Sequence, residues 1–251
     1  MTAGADGAPP IILRFGEVDS TQDLAFAIAA GGAPDMSVVV ADSQRVGRGR
    51  HGRAWHDAPG ASLLMSLLVR PRLHVTAWPT FSLAAAVAVA SALGRVAGID
   101  ARVKWPNDVR SRGRKVAGIL LESRLGSGVP AVVIGIGINV AQRAFPPLLA
   151  ERATSLALET GAVPARAQVL EAVLDELGRW RRVLEDRGFE PVRARWLALA
   201  EGRGERVTVD GVSGVFADLD RDGALLLDAD GVRHRVVAGE VREEDGHAAR
   251  R

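Results

Sequence analysis

The residues best suited to chemistry lie between Gln44 and Trp55, in the run Gln-Arg-Val-Gly-Arg-Gly-Arg-His-Gly-Arg-Ala-Trp. Gly47, Gly49 and Gly52 are interleaved there with Arg45, Arg48, Arg50 and Arg53. Glycine lets the backbone pass close to a ligand, and each guanidinium presents a planar fork of donors matched to carboxylate or phosphate. The loop suits an anionic ligand, although taken alone it would equally suit a solvated basic turn. Two further motifs follow, Lys104-Trp105-Pro106-Asn107-Asp108 and Lys115-Val116-Ala117-Gly118-Ile119-Leu120. An exposed Lys104–Asp108 pair would contribute little. The Trp-Pro-Asn turn between them holds them rigidly, however, and a carboxylate beside an amine can orient it or take its proton. In Gly135-Ile136-Gly137-Ile138-Asn139-Val140 the first two glycines resemble a dinucleotide fingerprint, but Val140 stands at the third small position and no helical pattern follows.

These residues need a scaffold, and hydrophobic spacing outlines it. Ile11–Phe15 reads as a strand, and Ser20 or Thr21 then stands where a helix N-cap belongs, ahead of Leu24–Ala30 and the closing Gly31-Gly32. Met36–Ala41 reads as a buried strand that delivers Gln44, and Leu63–Val69 as the returning strand, stopped by Pro71. Small apolar residues from Thr80 to Val96 predict a helix packed on a sheet. Arg102–Trp105 is a short strand ended by Pro106. Val116–Glu122 and Ala131–Ile134 are two more, joined by a turn at Gly126–Pro130. Pro164–Arg187 predicts an amphipathic helix with Val169, Val173, Leu177, Trp180 and Leu184 on its apolar face, and Pro191–Ala200 a second helix. From Arg203 the texture changes to short strands at 206–209, 214–219, 224–227 and 233–237. Asp210-Gly211, Asp222-Gly223 and Asp230-Gly231 punctuate them as consecutive hairpins.

Composition narrows the classes. A chain of 251 residues, 47% hydrophobic and 25% charged, fits a medium α/β domain with a small appendage. A net charge of +2 gives little reason to expect nucleic acid as a partner. The chain has no cysteine, hence no disulfide or thiolate nucleophile, which suits a reducing cytoplasm. No apolar run is read as reaching the ~18 residues of a membrane span. Met1–Pro10 lacks the pattern of a signal peptide and reads, like Glu243–Arg251, as a tail. There is no phosphate loop of the Gly-x4-Gly-Lys type, no metal-ligand spacing and no Gly-x-Ser-x-Gly elbow. The five histidines are scattered, and His51 reads as a solvated loop residue.

With Asp19-Ser20-Thr21-Gln22 upstream, the motifs and their order resemble the biotin protein ligases, from about Val18 to about Val241. The resemblance implies an α/β (α+β) fold, with a mixed-sheet catalytic domain over residues 11–201 and an SH3-like β-barrel over 203–242. It implies a two-step reaction with ATP and biotin as substrates and Mg²⁺ accompanying the nucleotide. Biotin is activated as biotinyl-5′-adenylate and passed to a lysine of a biotin carboxyl carrier protein. By the same resemblance Ser20, Thr21, Gln22, Gln44, Gly47, Arg48, Lys115 and Gly118 line the biotin pocket. The family more often has asparagine where Gln22 stands. Arg50, Trp55, Asn107, Lys115 and Asn139 serve ATP, with Trp55 on the adenine face and Asn139 on its edge. Arg48, Arg50, Lys104 and Lys115 supply charge at the phosphate, Asp108 faces the acceptor lysine, and Ala153-Thr154-Ser155-Leu156 resembles a small motif near the same site. The barrel is expected to support nucleotide binding or carrier docking. A homodimer is left open, and the family's DNA-reading helix-turn-helix is not expected before Ile11. A related lipoate or octanoate ligase and a non-catalytic nucleic-acid-binding module are the alternatives. The basic loop is expected to be mobile without ligand, because ordering costs roughly 1 kcal/mol per residue and its arginines repel one another.

Overall fold

The computed structural model describes residues 8–125 and 130–243. The expected tails outside 8–243, and residues 126–129 of the expected Gly126–Pro130 turn, lie outside the described residues. The chain runs β1 (Ile12–Val18), α1 (Thr21–Ala30), β2 (Val38–Gln44), β3 (Ser62–Val69), α2 (Thr80–Ala97), β4 (Ala101–Lys104), β5 (Asp108–Ser111), β6 (Arg114–Arg124) and β7 (Ala131–Asn139). These seven strands form one sheet in the order β1-β2-β3-β7-β6-β5-β4. Only β1 and β2 pair in parallel; the other neighbours are antiparallel, so the sheet is mixed. Strand β5 was not anticipated from sequence; it is four residues long and shares its ends with two motifs.

Period-two alternation assigns the faces of this sheet. Val38 and Val40, Leu63, Met65, Leu67 and Val69, and Val132, Ile134, Ile136 and Ile138 all join one core. After α3 (Leu156–Thr160), α4 (Arg166–Arg187) and α5 (Glu190–Leu199) complete that core together with α2. On the opposite face Val39, Leu68 and Val133 pack under Ala25 and Phe26 of α1. By length and composition α2 is apolar enough to cross a membrane, with a mean hydropathy of 1.6 over 18 residues. That corrects the reading that no run reaches such a length. Here the helix is a core element, packed against the sheet and α4.

The second sheet contains β8 (Arg206–Val209), β9 (Val212–Leu219), β10 (Leu225–Ala229), β11 (Val232–Val236) and β12 (Val241–Glu243), all antiparallel in the order β11-β10-β9-β8-β12. Asp210-Gly211 and Asp230-Gly231 form two-residue turns with positive φ at both positions (47° and 87°, 51° and 78°). That is the type I′ geometry whose twist matches the flanking strands. Asp222-Gly223 instead closes a longer loop, in which the Asp220 amide donates to the Ala224 carbonyl at 2.8 Å. Strand β12, including Glu243, was missed because it is only three residues long.

The two sheets share a core. Val207, Phe216, Leu219, Leu225 and Leu227 belong to the same apolar cluster as the large sheet, and the Phe216 and Trp196 rings lie 6.2 Å apart. Trp105 Nε1 donates to the Gly223 carbonyl at 3.1 Å, and Arg193 Nε to that of Leu219 at 2.8 Å. The small domain is therefore a packed wall of the whole molecule. Phe216→Ala should cost about 3–5 kcal/mol and lower the urea midpoint of both sheets in one transition. Near-UV circular dichroism from the tryptophans of the large domain checks this. An unchanged midpoint there would show that the cores are separate.

Candidate active site

The face of the large sheet opposite the main core is cut back beyond α1. Along β7 the large residues Ile134, Ile136 and Ile138 point into the core, while Gly135, Gly137 and Asn139 take the alternate positions; Gly118 does the same on β6. A cavity of 1160 Å³ occupies the space. Ser20, Thr21, Gln22, Gln44, Arg48, Arg50, Trp55, Lys104, Asn107, Asp108, Lys115, Gly118 and Asn139 all line it. Gly47 lies one layer behind the wall. It is buried beneath Trp55, where an added Cβ would meet the Trp55 carbonyl at 3.0 Å and Gln44 Nε2 at 3.3 Å.

The start of α1 and the end of β2 are joined by a polar network. Ser20 is the helix N-cap, its hydroxyl accepting from the Gln22 amide at 3.2 Å. The Gln44 Oε1 accepts from the Thr21 amide (2.8 Å) and hydroxyl (3.0 Å), and Thr21 Oγ1 lies 2.8 Å from Ser66 Oγ. Gln22 is buried with its amide used at both ends. It donates to the Leu120 and Val133 carbonyls and accepts from Ser66 at 3.1 Å. Gly135 makes room for it, since a Cβ there would collide with Gln22 Oε1, well inside van der Waals contact.

The basic loop is held by carboxylates. Arg45 pairs with Glu17 (3.0 Å) and Asp19 (2.7 Å), Arg48 with Asp23 (2.8 Å) and Glu122 (3.3 Å), and Arg53 with Glu240 (2.5 Å). Acidic partners thus offset the repulsion expected among these arginines. Their partners are distant in sequence and could not be paired by inspection. Arg50 differs: its side chain makes no hydrogen bond or ion pair among the described residues, and burial pushes its guanidinium below its ordinary value, against the pull of Asp108, Asp210 and Glu240. The Trp55 ring lies on the trimmed sheet, where a Cβ on Gly137 would meet it at 2.6 Å and one on Gly118 at 3.0 Å. Lys115 Nζ stands 5.6 Å from its centroid, and the buried indole Nε1 has no partner among the described residues.

Around the Trp-Pro turn, Lys104 and Asp108 sit opposite each other on β4 and β5, but the Asp108 carboxylate contacts Lys115 Nζ at 2.6 Å. Asn107 Nδ2 donates to the Ile119 carbonyl at 2.6 Å and so clamps the turn to β6. Asn139 Nδ2 donates to the Thr154 carbonyl at 2.9 Å, and its Oδ1 accepts from Gln142 at 3.2 Å. Segment 153–156 flanks Lys115. The Lys115 amide donates to the Arg152 carbonyl and the Thr154 amide to that of Lys115, both at 2.8 Å. Sequence reasoning missed Arg152 and the stretch Gly239–Arg242, which also line the cavity. The hydrogen bond and charge of Arg53 hold Glu240 below the usual carboxylate range. Only its place just before a three-residue strand distinguishes that stretch in the sequence.

Residues 15–139 match the profile of the Biotin/lipoate A/B protein ligase family, and residues 204–242 match the Biotin protein ligase C terminal domain. The chain is 38% identical to the bifunctional ligase/repressor BirA of Bacillus spizizenii over 231 residues, covering 89% of this chain and 71% of that protein. It is also 38% identical to the biotin–[acetyl-CoA-carboxylase] ligase of Paracoccus denitrificans over 233 residues, 89% and 96% of the two chains. Among solved structures, biotin protein ligase from Aquifex aeolicus in complex with biotin and ATP superposes with a TM-score of 0.83 at 29% identity, covering 93% of this chain and 99% of that one.

The glycine at 137 gives the site its most direct test. Gly137→Ala places a methyl inside the Trp55 ring's contact distance, so the ring must leave the sheet. Acrylamide should then quench Trp55 more strongly, measured as the difference between Gly137→Ala with and without Trp55→Phe. Unchanged quenching would mean that the strand yields and the ring does not.

Proposed function

The chain belongs to the biotin protein ligase family, and on that premise we propose which of its residues carry the reaction. The enzyme activates biotin with ATP as biotinyl-5′-adenylate and transfers the biotinyl group to a carboxyl carrier protein. In the first step the biotin carboxylate attacks the α-phosphate and pyrophosphate leaves. In the second, a lysine amine of the carrier attacks the activated carbonyl and AMP leaves. Neither step needs a covalent nucleophile on the enzyme. Two anions must meet in the first, so positioned positive charge carries most of the burden.

The observation that carries the assignment is Arg50. A partly buried guanidinium in no direct ion pair among the described residues, beside Lys115 and Lys104 on the wall of a cavity with an apolar floor, is matched to a phosphate. Arg48 reaches an anionic ligand only by leaving Asp23 and Glu122. Those contacts are half exposed, where a pair contributes only about 0–1 kcal/mol, so the exchange is inexpensive. Trp55 supplies an aromatic face for the adenine. The hydroxyls and amides of Ser20, Thr21 and Gln44 suit a neutral ureido ring, which both donates and accepts. Asn107 and Gln22 act mainly on the protein itself, holding the turn and β6 in place. Among the described residues no group of three or more metal-binding side chains gathers. We propose that Mg²⁺ arrives on the triphosphate, as this ion usually does, and no step is assigned to it.

Asp108 has two partners in this scheme. It holds Lys115 during activation, then faces the acceptor amine, which attacks only when neutral. Two measurements test the reading. Pyrophosphate exchange into ATP should require biotin and be negligible with lipoate; comparable exchange with lipoate would overturn the choice of acid. Asp108→Asn should slow lysine attack by about 10²–10⁴-fold, and adenylation much less, in single-turnover assays of each half-reaction. A variant slow only in adenylation would move Asp108 to the nucleotide step.

A further inference from the structure

Glu159 lies one turn into α3, well behind the cavity wall, and does not line the cavity. Its carboxylate is 1% exposed, a costly place for a charge. It accepts from Thr154 Oγ1 at 2.6 Å, from Ser111 Oγ at 2.9 Å and from Arg114 Nη2 at 2.8 Å, with Arg112 Nε at 3.7 Å. Burying a carboxylate seldom stabilises a fold more than a well-packed apolar group would, even with arginines reaching it from the surface, so stability alone is a weak reason for this one. Burial is the largest influence on the group and would raise its pKa. The two hydroxyls and the charges of Arg114 and Arg112 outweigh it and hold the carboxyl below its ordinary value.

The positions of its partners give the reason. Arg114 immediately precedes Lys115 on β6. Thr154 exchanges a backbone hydrogen bond with Lys115 at 2.8 Å, and its carbonyl receives the Asn139 amide at 2.9 Å. Ser111 ends β5, the strand that begins at Asp108. We infer that Glu159 is a positioning residue for Lys115, its carboxylate fastening the strand before the lysine to the segment that bridges it. Its grip on three separate segments fixes where the lysine stem leaves β6, and so where Nζ meets Asp108 and the reacting phosphate. The inference rests on the role of Lys115 given above.

The test is a double-mutant cycle on single-turnover adenylation, with biotin affinity measured alongside. Glu159→Gln should slow adenylation about ten- to a hundredfold and weaken biotin binding by less than the rate falls, because the main loss is one of geometry at the reacting phosphate. Glu159→Asp, which keeps the charge, should recover part of the rate. In a Lys115→Ala background, adding Glu159→Gln should cost less than about twofold, since the two act through one group. If Glu159→Gln fails to fold, Thr154→Val removes one hydroxyl from the carboxylate without touching its charge, and the same non-additivity with Lys115→Ala is expected. Additive losses, or an unchanged adenylation rate in a folded Glu159 or Thr154 variant, would overturn the inference alone. A Lys115→Ala enzyme that adenylates at the full rate would overturn the role of Lys115 itself, and the inference with it.

Discussion

The architecture depends on one asymmetry in the second half of β7: every second residue is a buried isoleucine, and the two residues between are glycines. On β7 the isoleucines at 134, 136 and 138 anchor the strand in the core, while Gly135 and Gly137 leave bare backbone on the other side. Glycine in a strand normally weakens it, because no side chain packs and the unfolded chain gains freedom. Burial of the isoleucines opposite offsets that loss, and an isoleucine buried fully contributes about 1.5–3 kcal/mol. The core face thus stabilises the strand, and the bare face is left for a ligand. A planar ring can then lie directly on the peptide groups, as the Trp55 indole does.

The charges follow a related logic of weak restraint. The arginines at 45, 48 and 53 have acidic partners, yet these pairs are exposed to solvent or, at Arg48, half exposed. Such contacts hold the loop in register but yield to a better anion. Arg50 is committed to nothing. A fully buried carboxylate holds several partners at once one layer away, at Glu159, with two hydroxyls as well as an arginine on it. Loose contacts where a ligand has to enter, and tight ones where a lysine has to stay, divide the electrostatics of the site between two depths.

The sequence made much of this legible, and its failures have a physical pattern. Helices α2, α4 and α5 are long enough for their spacing to declare them, and the Asp-Gly turns declared the hairpins. Strands β5 and β12 and helix α3 are three to five residues long, too short for any periodicity to build up. The residue types for anion binding were readable in order, because Arg, Lys and Asp carry their chemistry wherever they sit. Their partners were not: Arg53 meets Glu240 across 187 positions, and Arg48 meets Glu122 across 74. Glu159 was passed over because a lone glutamate near a helix end usually faces water. The merging of the two cores was invisible for the same reason, since an apolar residue does not name its neighbour.

A pocket made by leaving side chains out has a consequence for redesign. Its walls cannot be reshaped by small steps, since at Gly135 and Gly137 even a methyl group collides with what lies above. The adjustable parts are the residues that occupy the hollows, Gln22 above Gly135 and Trp55 above Gly137 and Gly118. Selection for a bulkier or slimmer acid would therefore collect its changes on the first turn of α1 and on the basic loop, and leave β7 alone. On the proposed reading, specificity is a property of the fillers, and the strand beneath them serves as a blank template.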